Sequence, residues 1–466
     1  MSRSPAVPPD AARPPGPPAG AACSVLLRGA SVLTMNERRE VIPRGEVLVE
    51  GGTIAHVGPL GSAPLPPGGA GETLELGEGA VVIPGLVQAH VHLCQTLFRN
   101  QADDLPLLRW LRERIWPLEA AHDEASLAAS AELGLAELLR GGTTAILDMA
   151  TVHHTEVIFQ AAARSGIRAL IGKCHMDVDA GQPRALYERP AASLAEAVQL
   201  CERWQGAEGG RLGYAFAPRF ALSCSEGLLR ELAAAARERG ARLHTHAAEN
   251  AEECRLVRAQ TGRDNVEYFA AIGLAGPDLV LAHCIHLSQR EVELLARHGV
   301  AVAHCPSSNL KLGSGLARVP ELRAAGITVG LGADGAPCNN NLDAFVEMRL
   351  AALLQKPRLG AQVLPAAEVF AMASVEGARA LGLEGRIGRL AAGMEADLVV
   401  LDLDDLATVP PGDLFSTIVY AAQSRHVRHV MVAGRWVVKD RQLLTLDEER
   451  VRAVAKEQLA ALLRRL

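Results

Sequence analysis

Apolar and polar positions along the chain fall into two textures. After His92, stretches rich in Ala, Leu, Glu and Arg with helical spacing alternate with short apolar runs that read as strands. Those runs are Thr143–Met149, Ala169–His175, Gly213–Pro218, Arg242–His246, Leu279–His283, Val300–His304 and Thr328–Gly332. With the strand ending at His92 they make eight, and eight strands alternating with helices over about 250 residues predict a (β/α)8 TIM barrel in the α/β class. Outside this region the texture is β. Ser24–Leu33, Glu46–Val57 and Gly79–Ile83 read as a small antiparallel sheet, and Leu398–Leu401, Val427–Val432 and Arg435–Val438 return to it near the end. The expected organisation is a composite β-sandwich domain from residues 23–83 and 389–442, a catalytic barrel from 84–388 and a C-terminal helix over 443–466. Residues 1–22, dominated by Pro, Ala and Gly, read as a disordered lead and neither as a signal peptide nor as a strand.

Composition narrows the function. Lys plus Arg number 47 against 53 for Asp plus Glu, with no basic run, which argues against nucleic acid as the partner. No window approaches the ~20 apolar residues of a membrane span. The nine cysteines contain no C-x-x-C pair, so reduced cytoplasmic thiols are expected rather than a disulfide frame.

Chemistry in such barrels sits at the C-terminal ends of the strands. His90 and His92, two apart at the end of the first, project from the same face. The fifth strand ends at His244 and His246 with Glu249 just beyond, the sixth at His283, the seventh at His304, and the eighth runs into Asp334. One carboxylate and several imidazoles meeting at one mouth form a donor set for a single divalent cation.

The stretches PGLVQAHVHL, WPLEAAHD, HTHAAE, LAHCIHL, HCPSSNLKLGSG, GADGAPCNNNLD and GRLAAGMEADLVVLD resemble the amidohydrolase superfamily. The branch they point to holds adenosine and S-adenosylhomocysteine deaminases and triazine chlorohydrolases. The resemblance spans about Ser24 to Asp440. It implies one divalent metal per chain, Zn2+ by expectation with Fe2+ or Mn2+ as alternatives, held by His90, His92, His246 and Asp334. Asp334 would also take the proton of the attacking water, His283 would hydrogen-bond that water, and Glu249 would shuttle protons to the substrate ring. The implied reaction removes the 6-amino group of an adenosine-type nucleoside. A free-base or pterin deaminase and an s-triazine hydrolase are the alternatives on the same fold. A non-catalytic interaction protein is set aside because every metal and proton-transfer position is present. Glu119 matches a position that accepts ribose hydroxyls, with Trp110 and Trp116 flanking it as an apolar wall. Arg219 stands where a histidine is commoner, so it bears on the 5′-substituent; His304 and His286 are candidates for the pocket or its support. His244, one step deeper than His246, is expected to pack behind the ligands, and His153, His154 and His175 to be structural. Lys173 lies on the third strand rather than at the end of the fourth, so a bridging carboxylated lysine is not expected and the site is read as mononuclear. The family implies a homo-oligomer.

Overall fold

The computed structural model describes residues 24–65 and 69–466, so the expected lead over 1–22 lies outside the described residues. Eight parallel strands form the barrel: β1 (Leu86–His92), β2 (Thr143–Met149), β3 (Arg168–Gly172), β4 (Leu212–Pro218), β5 (Arg242–Ala247), β6 (Leu279–His283), β7 (Ala301–His304) and β8 (Val329–Leu331). Each pairs with its neighbour in sequence, and the short strand Asp334–Gly335 closes the ring against Val91 and His92 of β1. Strands β2 and β6 are buried along their whole length, as parallel strands covered by helices must be. The helices carry their own stop and start signals. Gln289–His298, for example, opens on a Ser288–Glu291 capping box and ends at Gly299. Closure puts β8 so close to β1 that a Cβ on Gly332 would lie 2.6 Å from the His90 carbonyl oxygen, so only glycine fits there.

Two further sheets lie outside the barrel. One has the strand order Thr53–Pro59, Gly45–Glu50, Val25–Arg28, Glu72–Glu75. The other draws on both ends of the chain, running from Gln442–Leu443 and Arg435–Lys439 through Val427–Val432 and Leu398–Asp402 to Ala80–Pro84, Ser31–Leu33 and Val41–Ile42. Leu27, Val47 and Val49 of the first sheet share an apolar core with Val82, Leu398 and Met431 of the second.

Two sequence expectations are corrected here. Ser24–Leu33 is not one strand: it breaks at Gly29 (φ +92°), where a Cβ would sit 2.6 Å from the Leu76 carbonyl oxygen, and its halves enter different sheets. Both halves also make a parallel pairing, so these sheets are mixed rather than antiparallel. The third barrel strand is likewise interrupted at Lys173, whose ammonium turns away to the Val152 carbonyl and to Glu188 Oε2 at 2.8 Å. No described helix is long and apolar enough to cross a membrane.

Candidate metal and acid–base site

Strand ends supply the site. His90 and His92 from β1, His246 from β5, His283 at the end of β6 and Asp334 after β8 meet at one mouth. His283 (φ +73°) and Asp334 (φ +61°) both adopt the left-handed backbone conformation, a strain that re-aims side chains where strands end. The Nε2 atoms of His90 and His92 lie 3.2 and 3.4 Å from Asp334 Oδ1. His92 Nε2 is 3.3 Å from His246 Nε2.

The other ring nitrogens fix the tautomers. His92 Nδ1 donates to the Met149 carbonyl at 2.8 Å, and His246 Nδ1 to the Arg219 carbonyl at 2.7 Å. His244 Nδ1 donates to the Val280 carbonyl at 3.1 Å, which leaves its Nε2 an acceptor for His90 Nδ1–H at 2.7 Å. The result is three imidazoles whose bare Nε2 atoms converge. Burial keeps them neutral: it holds His90 and His246 below the ordinary histidine range and His92 down to about 3. His244 thus sits where it was expected, behind the ring it orients.

This donor set fits a divalent cation. His90 Nε2 is buried with no hydrogen-bond partner, and all the candidate ligand atoms of His90, His92 and His246 lie within 4.8 Å of one another. So do those of His90, His283 and Asp334. Three nitrogens and a carboxylate oxygen are the coordination chemistry of zinc, iron or manganese, and no cysteine belongs to either group. Lys173 is held away from these donors by the Val152 carbonyl and Glu188.

Proton-transfer groups stand beside the donors. His283 Nε2 is 3.5 Å from Glu249 Oε2 and 3.8 Å from Asp334 Oδ2. Burial would lower His283, but Glu249 and Asp334 more than reverse it, so its pKa rises. Burial pushes Glu249 up to about 7, where a carboxyl can both hold and release a proton at neutral pH. Asp334 is raised by burial, yet the adjoining His90, His283 and His92 bring it well below the usual carboxylate range.

Over this polar floor stands an apolar wall of Leu107, Trp110, Leu111, Phe220 and Leu312. Trp110 is where the sequence put it, its indole N–H tied to the Ala102 carbonyl at 3.0 Å. Arg219 also lines the pocket. Glu119 does not reach the surface expected of it. Its carboxylate is clamped by Arg219 Nη1 at 2.6 Å and Nη2 at 3.2 Å and accepts from Gln95 Nε2 at 2.8 Å. His304 is buried outside the pocket lining with neither ring nitrogen bonded, and His286 is spent on the Ser314 carbonyl. His175 bonds Ser193, away from the pocket. Sequence reading passed over Gln95, three residues after His92, and Glu253, four after Glu249; both line the pocket. Their spacing from the assigned residues, one helical turn or less, was the available signal.

The buried Glu119–Arg219 pair sets an expectation of its own. Removing one partner strands a charge in a dry site, so Glu119→Ala should cost about 3–5 kcal/mol of stability. Replacing both with apolar residues should cost far less, and denaturant unfolding of the two variants measures the difference.

A larger cavity of about 620 Å³ lies at the other end of the barrel, among Arg211, Arg237, Arg242 and Arg386. Those guanidiniums are occupied. Arg211 donates to the Ala162 and Ala163 carbonyls, Arg237 to those of Gly273 and Leu274, and Arg242 to that of Arg379, all at helix C-termini. It holds no acid–base pair comparable to Glu249 and His283.

The fold and the histidine–aspartate mouth define a class, and the family comparison agrees. Residues 81–437 match the model of the Amidohydrolase family, and the chain belongs to that family. It is a hydrolase. Among its relatives, a 5-methylthioadenosine/S-adenosylhomocysteine deaminase of Pelotomaculum thermopropionicum is 38% identical, covering 95% of this chain and 99% of that protein. A 5′-deoxyadenosine deaminase of Methanothermobacter thermautotrophicus is 39% identical over 94% of this chain and 99% of its own length. Among solved structures, a zinc-bound adenosine deaminase from Xanthomonas campestris superposes with a TM-score of 0.89 at 33% identity, covering 95% of this chain and 99% of that one.

Proposed function

We propose that the protein is a mononuclear, metal-dependent deaminase that hydrolyses the 6-amino group of an adenosine-type nucleoside. The observation that carries this reading is the convergence of three bare imidazole nitrogens and Asp334 beside the Glu249–His283 pair. His90, His92, His246 and Asp334 would hold one divalent cation, zinc by preference. Such a cation supplies Lewis acidity, lowering the pKa of water from 15.7 to about 7. Asp334 takes the proton that the attacking water gives up. His283, its Nδ1 turned to Asn309, donates a hydrogen bond from Nε2 to the oxygen as it adds to C6. Glu249 gives its proton to the adjacent ring nitrogen, so that C6 accepts the oxygen's electron pair. The proton held by Asp334 then goes to the amino nitrogen, the C–N bond breaks and ammonia leaves, while the hydroxyl proton on C6 returns to the Glu249 carboxylate as the C6 carbonyl forms.

The pocket is narrow and walled on one side by Leu107, Trp110 and Leu111, with the donor residues at its floor.

One observation favours a second reading. Because Glu119 is neutralised by Arg219, its oxygens are not free for a vicinal diol, which suits a free base such as guanine rather than a nucleoside. An ammonia-release screen separates the two. Turnover of adenosine, 5′-deoxyadenosine, 5′-methylthioadenosine or S-adenosylhomocysteine in preference to guanine, pterins and triazines supports the nucleoside reading. Turnover confined to free bases or triazines overturns it.

A further inference from the structure

The turn after β7 does three things with three consecutive side chains. Ser307 accepts nothing from the pocket; its N–H donates to Glu347 Oε2 at 3.1 Å and its hydroxyl to Glu347 Oε1. Ser308 Oγ donates to Asp334 Oδ2 at 2.6 Å. Asn309 Oδ1 accepts from His283 Nδ1 at 2.9 Å. Two groups of the reaction are thus aimed by neighbouring residues of one short helix, Pro306–Lys311.

That helix is itself held by Glu347, a buried acid on Ala344–Leu354 that lines no part of the pocket. Glu347 Oε1 also accepts from Asn339 Nδ2 at 2.9 Å, and the same amide donates to the Ala333 carbonyl next to Asp334 at 2.8 Å. One carboxylate therefore joins the turn after β7 to the loop after β8. Burying an acid this deeply is costly unless it is fully bonded, and its partners are Ser307, next to the Ser308 that bonds Asp334, and Asn339, which also bonds the Ala333 carbonyl.

We propose that Glu347 is a positioning residue for this centre. It locks Ser308 and Asn309 so that Asp334 presents Oδ1 to the histidines while Oδ2 is held back, and so that His283 keeps Nε2 toward Glu249. This inference rests on the metal-dependent reading above, and its test does not require knowing the substrate. Outer partners of metal ligands commonly contribute about 10–100-fold to metal affinity or activity.

Zinc affinity is measured by chelator competition on wild type, Glu347→Ala, Glu347→Gln and a control, Glu291→Ala. Glu291 is equally buried and likewise accepts a backbone N–H, from Val266 at 2.9 Å, and a serine hydroxyl, from Ser288 at 3.1 Å, but these link helices on the barrel's outside. The expected result is about a 10–100-fold loss of zinc affinity in Glu347→Ala, a smaller loss in Glu347→Gln, and none in Glu291→Ala despite a similar fall in melting temperature. With a turned-over substrate, kcat should fall while KM stays near wild type. If Glu347→Ala does not fold, Glu347→Gln carries the comparison, since it keeps the volume and loses one acceptor. Unchanged zinc affinity and kcat in a folded Glu347 variant would overturn the proposal. A wild type that binds zinc but deaminates nothing would sink the deaminase reading alone, leaving the zinc comparison to decide on Glu347.

Discussion

Stripping the protein of metal with a chelator is expected to cut ammonia release at least ~10³-fold, and one equivalent of Zn2+ per chain should restore it. The magnitude follows from the chemistry: without several kcal/mol of Lewis-acid stabilisation, water at pH 7 is a poor nucleophile toward an aromatic carbon. One equivalent is expected because Lys173, the residue type that bridges two ions when carboxylated, is held by Glu188 and the Val152 carbonyl instead. His246→Ala should abolish the rescue, since it removes one of the three nitrogens within 4.8 Å of each other. His244→Ala should weaken metal binding more mildly, because it only removes the ring that His90 leans on through a 2.7 Å hydrogen bond. Metal analysis by mass spectrometry alongside the assay decides the matter. Two equivalents per chain, or turnover indifferent to chelation, would end the mononuclear reading.

Much of this site could be read from the chain before any coordinates. Strand periodicity alone placed His90 and His92 on one face, and the barrel rule placed His246, His283 and Asp334 at the same end. The family motifs then supplied roles that spacing cannot give. What escaped was set by contacts between residues far apart in sequence. Glu119 and Arg219 are 100 residues apart, and nothing local in WPLEAAHD or APRF says that one guanidinium closes over the other's carboxylate. The motif HCPSSN was visible as a motif, but the separate partners of Ser307, Ser308 and Asn309 come from three different elements. The break at Gly29 was hidden for a related reason: a glycine in an apolar run reads as a weak strand position until a partner strand comes within 2.6 Å of the Cβ it lacks.

Replacing Glu249 with Gln is expected to lower kcat by about 10²–10⁴-fold while leaving KM and zinc content within a few-fold of wild type. Glutamine fills the same space beside His283, but it can neither deliver a proton to the ring nitrogen nor recover one. The pH profile gives a sharper reading. Burial pushes the Glu249 carboxyl up to about 7. A general acid works in its protonated form, so kcat/KM in the wild type should fall as pH rises through that value; a bound cation, favouring the carboxylate, moves the limb lower. In Glu249→Gln this limb should vanish and the small residual rate should stay flat across it. The neighbouring Glu253 must be followed too, because its carboxyl is also pushed up to about 7, by burial and then by Glu249 itself. Glu253→Gln should keep the bond to the Glu249 N–H and retain most of kcat, while the limb shifts to lower pH as the like charge disappears. Profiles recorded from pH 5.5 to about 9 on all three proteins separate the two carboxyls: a limb that survives Glu249→Gln unchanged would take the proton-shuttle role away from it.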